Sequence, residues 1–283
     1  MRPIAPVLPL LYPLLCLCSA VPCPAAGLEV VRPSIAQIDG GIPVPRGYEH
    51  VAGETLFFSC RIAGYAQTAE EKVHVTYSVQ PFDPKGVPLT EIYKNEMVTD
   101  VAPQDKEWMP KISTEIQIPP LVGAGTYTIL VKIEDLVSNT KAELSVPFGV
   151  RSKSVEPSDT LTVRDFQFFR GDDDPQPMQK ALYKGGDAVW TKFDVIGFKY
   201  GDKNRIDVSY VPSVISPSGK VLWRQDKPEV EQSESFYPKR YMAASMGINL
   251  LPNTTPGQYI IAVTITDAVG KQTYETKQTF TVE

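Results

Sequence analysis

Thr255-Pro256-Gly257-Gln258-Tyr259-Ile260-Ile261-Ala262-Val263-Thr264-Ile265-Thr266-Asp267 reads as one long strand. A Gly and a Tyr open it, every second residue is apolar, and an Asp closes it ahead of a turn, the period-2 pattern of a strand with one buried face. Ala124-Gly125-Thr126-Tyr127-Thr128-Ile129-Leu130-Val131-Lys132-Ile133-Glu134-Asp135 repeats the same plan earlier in the chain. Two such strands, far apart in sequence, predict two sandwiches, each built around one of them.

The likeness extends outward from these strands at a nearly constant offset. Gly53-Glu54-Thr55-Leu56-Phe57-Phe58 aligns with Gly186-Asp187-Ala188-Val189-Trp190-Thr191, and Gly64, Tyr77, Pro84, Gly86, Leu89 and Met109 align with Gly197, Tyr210, Pro217, Gly219, Leu222 and Met242. After one deletion the register resumes, pairing Tyr127 with Tyr259, Asp135 with Asp267 and Phe148 with Phe280. The reading is an internal duplication: an all-β chain of two tandem immunoglobulin-like sandwiches, over 27–150 and 159–283. The polar, Pro-containing segment 151–158 serves as linker. Within the second copy, strands are expected at Leu161–Phe169, Ala188–Val195, Arg205–Val211, Lys220–Arg224, Gly247–Leu251, Gln258–Thr266 and Thr273–Val282. Asp83-Pro84-Lys85-Gly86 and Ser216-Pro217-Ser218-Gly219 have the Pro and Gly placement of tight turns.

The first 25 residues differ in kind. Met1-Arg2 precedes an apolar run ending in small residues, the form of a secretory signal peptide. Pro6, Pro9, Pro13 and Pro22 argue against a membrane anchor. The expectation is a secreted or periplasmic protein with no stable membrane insertion after cleavage. Removing the leader takes Cys16, Cys18 and Cys23 with it, so Cys60 stands alone and no disulfide framework is expected. The whole chain has 28 basic and 33 acidic residues, net −5, without a basic run, which argues against a nucleic-acid partner.

Gly125-Thr126-Tyr127-Thr128-Ile129 and Gly257-Gln258-Tyr259-Ile260-Ile261 resemble the tyrosine corner of immunoglobulin-like and fibronectin type III-like modules, here of secreted, bacterial kind. The resemblance implies that Ile129 and Ile261 stand where immunoglobulin domains carry their second core Cys, opposite Cys60 and Phe193 on the facing strand. It concerns fold alone and says nothing of ligands.

Few residues invite chemistry. Cys60 reads as a buried small hydrophobe, and the only imidazoles, His50 and His74, lack zinc-site spacing. Asp172, Asp173 and Asp174 form a weak calcium candidate confined to the second copy. Arg170-Gly171-Asp172 matches the adhesion tripeptide but falls between the first and second strands rather than on the loop that type III modules use. The recurring Asp135 and Asp267 read as turn residues whose carboxylates bond nearby backbone. Trp223, Phe236, Tyr237, Arg240 and Tyr241 form a candidate binding surface for a protein or glycan. No nucleophile elbow, catalytic triad or phosphate loop is present. The chain therefore reads as a non-enzymatic interaction or spacer module without cofactor. A carbohydrate-binding protein and a periplasmic chaperone that captures partner strands are the alternatives.

Overall fold

The computed structural model describes residues 27–283 other than Pro103 and Lys106. The leader segment therefore lies outside the described residues. From the first half come β1 (Glu29–Ala36), β2 (Glu49–Val51), β3 (Thr55–Ala63), β4 (Lys72–Phe82), β5 (Tyr93–Asp100), β6 (Lys111–Gln117), β7 (Gly125–Asp135) and β8 (Thr140–Arg151). From the second come β9 (Thr162–Phe169), β10 (Leu182–Tyr183), β11 (Ala188–Ile196), β12 (Ile206–Ile215), β13 (Val221–Arg224), β14 (Glu229–Ser233), β15 (Met242–Asn249), β16 (Gly257–Asp267) and β17 (Gln272–Val282). No helix among the described residues is long and apolar enough to cross a membrane.

Each half stacks two sheets. In the first they run β1-β3-β6 and β2-β8-β7-β4-β5; in the second, β9-β11-β15 and β10-β17-β16-β12-β13, with β14 also on β12. Within each half the larger sheet begins with a short strand laid parallel to the last one, β2 on β8 and β10 on β17. The remaining pairs are antiparallel, and the order is that of an immunoglobulin-like sandwich.

Alternation builds the cores. Leu56, Phe58, Cys60 and Ile62 of β3 face Val73, Val75, Tyr77 and Val79 of β4 and Tyr127, Ile129, Val131 and Ile133 of β7 in one apolar cluster. A second cluster gathers Val189, Phe193 and Val195 of β11 with Tyr259, Ile261, Val263 and Ile265 of β16. Burial pushes the Cys60 thiol up to about 12, so it stays protonated as packing material.

Matching bonds brace both long strands. The Tyr127 hydroxyl donates to the Gly123 carbonyl at 2.6 Å, and the Tyr259 hydroxyl to that of Thr255 at 2.7 Å. Buried Asp135 accepts from the amides of Val137 and, across the fold, Ala66; buried Asp267 accepts from those of Gly270 and Lys199. The expected turn bonds are present, and each carboxylate adds a tie to a loop distant in sequence, the one after β3 for Asp135 and the one after β11 for Asp267.

The strand expectations differ in four places. β12 continues through Pro212 to Ile215, because its edge partner breaks there: β14 pairs with Ile206–Tyr210, β13 with Ser213–Ile215, and the Pro212 carbonyl accepts the Gln225 amide between them. A proline is tolerated where the ladder asks for no amide. β15 starts at Met242, ahead of the expected Gly247, and β10 and β14 were not foreseen, being short or polar.

His50 is buried between Tyr48 and Phe148, with neither ring nitrogen hydrogen-bonded and the Glu54 carboxylate 3.5 Å from Nδ1. Burial lowers its pKa, against the pull of Glu54. The unfolded chain then binds the extra proton first, so this contribution is complete above about pH 6.5 and is lost as pH falls through the depressed folded value. Urea unfolding at pH 7.5 and 5.5 will show native stability dropping with acid, and His50→Leu will flatten that difference. In the same assay Ile261→Ala, which empties part of the second core, will cost about 2–5 kcal/mol.

Candidate functional site

The Asp83-Pro84-Lys85-Gly86 turn closes one end of the first sandwich. Pro84 suits its second position, and Gly86 takes φ +80°, a left-handed value that favours glycine. The Asp83 carboxylate shapes this turn, Oδ1 accepting the amides of Lys85 and Val87 at 2.8 Å each. Its second oxygen faces the other half, where it accepts the Tyr237 hydroxyl at 2.9 Å and Arg240 Nη2 at 2.5 Å. Arg240 also donates from Nε and Nη2 to the Tyr237 oxygen at 3.2 and 2.9 Å, closing a three-membered cluster.

The loop carrying Tyr237 and Arg240 is held by its own sandwich. Asn204 Nδ2 donates to the carbonyls of Ser235 and Phe236, the Tyr200 hydroxyl to that of Lys239, and Lys239 Nζ to Glu231 and Ser233. From this base Tyr237, 5% exposed, reaches the apolar cluster of the first half. The Arg240 amide adds a long bond of 3.4 Å to the Leu121 carbonyl. Lys153, in the connecting segment, pairs with Asp165 and Asp194 of the second half, its Nζ 5.9 Å from the Tyr241 ring centroid. A cavity of about 240 Å³ lies among Tyr127, Lys153, Val155, Tyr237, Arg240 and Tyr241.

Electrostatically the joint is a closed set. Burial raises the Asp83 carboxyl, but the Val87 amide, Tyr237 hydroxyl, Lys85 amide and Arg240 together outweigh it and hold it below the usual range. Burial, with the Asp83 charge, keeps the Tyr237 hydroxyl protonated as a donor, against the opposing effect of Arg240. Each polar group is already matched, which suits fixing two bodies together rather than reacting with a substrate.

The five residues expected to form a binding surface are therefore divided. Tyr237, Arg240 and Tyr241 are committed to the joint, and Tyr241 is only 8% exposed; Trp223 on β13 and Phe236 remain open at 41% and 50%. Asp172, Asp173 and Asp174 do not converge: the Asp174 carboxylate accepts the Gln176 amide, and the Asp172 carbonyl is taken by Lys192. No group of three His, Cys, Asp or Glu among the described residues could hold a metal ion.

A concavity of about 930 Å³ is a shallow groove over the outer face of β5-β4-β7-β8. Register lines up Lys94, Ser78, Lys132 and Glu143 in one row and Glu96, Thr76, Glu134 and Lys141 in the next. Lys141 and Glu134 pair at 3.2 Å in open solvent, where such pairs contribute little.

No family model matches the chain, and no curated protein matches it. Among solved structures it is similar to the C-terminal domain of the Streptococcus pyogenes antigen I/II-family protein AspA, at 10% identity and TM-score 0.31, over 90% of this chain and 99% of that one. The C-terminal domain of the Streptococcus agalactiae polypeptide BspA aligns at 11% identity and TM-score 0.29, over 90% and 99%. A family 123 glycoside hydrolase from Clostridium perfringens aligns at 14% and 0.30 over 44% of this chain, which spans only 27% of that enzyme. At these scores nothing about ligand or activity transfers.

The joint residues fall where the two halves do not match in sequence. The constant offset places Ser216 opposite Asp83, Gln104 opposite Tyr237 and Glu107 opposite Arg240, so all three joint residues are particular to their own copy. Asp83→Ala will remove the acceptor that both partners share, at a cost of about 1–3 kcal/mol, moderated by the partial exposure of Arg240. Small-angle scattering will register a broader distribution of shapes for this variant than for the native chain. Because the Asp83 pKa is depressed on folding, its contribution is present above about pH 4 and lost as pH falls through the folded value. The native chain will therefore approach the variant's scattering profile only in acid.

Proposed function

We propose that the chain is a non-enzymatic interaction or spacer module acting outside the cytoplasm, in a periplasm or beyond the cell. Its parts are a signal peptide over 1–25, sandwiches over 27–150 and 159–283 derived from one another by duplication, and the linker 151–158. The observation that carries this reading is the buried Asp83–Tyr237–Arg240 cluster. A linker alone leaves two sandwiches free to reorient. Here a carboxylate, a phenol and a guanidinium are spent on holding them, while Lys153 ties the linker itself to the second half. Such a construction sets distance and direction between two surfaces, the requirement of a spacer or of a two-sided binding module. The identical corner bonds of Tyr127 and Tyr259, and the identical ties of Asp135 and Asp267, support the duplication.

The test is crosslinking in cells that express the tagged chain, followed by mass spectrometry of what remains bound. A specific extracytoplasmic protein, recovered from the native chain and depleted from Asp83→Ala, is the expected result. Recovery of cytoplasmic proteins alone, with the leader still attached, would overturn the reading.

A further inference from the structure

The outer edge of the larger sheet in the second half is one interrupted strand. β13 and β14 both lie on β12, joined by Asp226-Lys227-Pro228 after Gln225 bonds back to Pro212. Among the described residues, nothing pairs with their other side. Val221, Leu222, Trp223 and Val230 are all exposed on this edge. Comparison within the molecule sharpens the point: Leu222, at a shift in the β12–β13 register, is 54% exposed, whereas its counterpart Leu89 is 2% exposed and packed in the first core. The position that closes one sandwich is left bare on the other.

The adjoining outer face follows suit. Register sets Val221 beside Ile215 and Ile260, and Val230 beside Ser209 and Thr266. The corresponding face of the first half carries the rows of Lys and Glu described above. An unprotected, apolar strand edge is a template for pairing with another chain.

Charge selects the occupant. Basic Lys220, Arg224 and Lys227 lie toward the start of the edge, and acidic Glu229 and Glu234 toward its end, where Glu231 is already paired with Lys239. Two copies of such an edge, laid antiparallel, bring the basic end of each to the acidic end of the other; laid parallel, they bring like against like. On β5, the exposed edge of the first half, Lys94 is the one base, with Glu91 before it and Glu96 and Asp100 after it, so that edge has no basic end to set against an acidic one. We propose that the β13–β14 edge pairs with a second copy of this chain about a two-fold axis near Asp226–Lys227, β13 of each copy lying along β14 of the other. The axis crosses the Pro228 interruption, so the break in the ladder falls where the two copies exchange partners. This closed, isologous contact limits assembly to a dimer. It stands on the edge itself, independently of any extracytoplasmic partner.

Sedimentation velocity on the chain over 27–283 at about 50 µM, a range in which weak specific dimers are populated, provides the test. The native chain will sediment as a dimer, and Leu222→Glu and Val230→Glu will each weaken it at least about tenfold without moving the melting temperature. Val98→Glu, on the exposed edge of the first half, will leave it unchanged. Arg224→Glu will also weaken the dimer, and Glu229→Arg added to it will restore association. Lys227→Cys, close to the axis, will crosslink with a short bis-maleimide, because the only other thiol, Cys60, is buried. A native chain that stays monomeric overturns the proposal, as does one that forms open-ended assemblies. So does a dimer that Val98→Glu disrupts and Leu222→Glu leaves intact.

Discussion

A single carboxylate joins the organisation of this molecule. Asp83 gives one oxygen to the amides of its own turn and the other to Tyr237 and Arg240 of the opposite half. A buried carboxylate without partners costs several kcal/mol, so the turn and the joint depend on one another. If the turn relaxes, the acceptor for Arg240 moves; if the second half swings away, Asp83 is left with only its own backbone. The directionality of these bonds, rather than buried apolar area, is what discriminates one orientation of the halves from others.

Sequence and structure correspond most closely where one residue performs a local task. The Gly-x-Tyr opening and closing Asp of the two long strands predicted a tyrosine corner and a capped turn, and both occur with equivalent partners. Alternation on β3, β4 and β7 likewise identified the inward set, since a one-residue slip would expose all of it. Short or polar strands such as β10 and β14 gave no such signal, because two to five residues paired on a sheet margin need no apolar face. The joint was obscured for a different reason. Its residues belong to segments 154 and 157 positions apart, and an aromatic loop has the same composition whether it meets a ligand or a neighbouring sandwich.

The two halves differ in an informative way. Inward positions stay apolar while changing size, Cys60 against Phe193, and the tyrosine and aspartate ties are kept. Outward positions differ in character: Lys132 and Glu134 on β7 correspond in register to Thr264 and Thr266 on β16. Folding constrains the first set and leaves the second free. One sandwich plan thus carries Lys and Glu on the outward side of its central strand in the first half and threonines there in the second, where Glu275 and Lys277 of the neighbouring β17 keep their charge.

That difference acquires physical meaning through the joint. Two unlike faces on a flexible tether sample many separations, and a partner that touches both must give up entropy to fix them. With Asp83, Tyr237 and Arg240 bonded and Lys153 holding the linker, much of that ordering is already present in the free molecule. The charged groups of the joint are consumed by each other and contribute little outward field. Recognition is thereby left to the exposed sheet faces and strand edges, whose relative placement the joint determines.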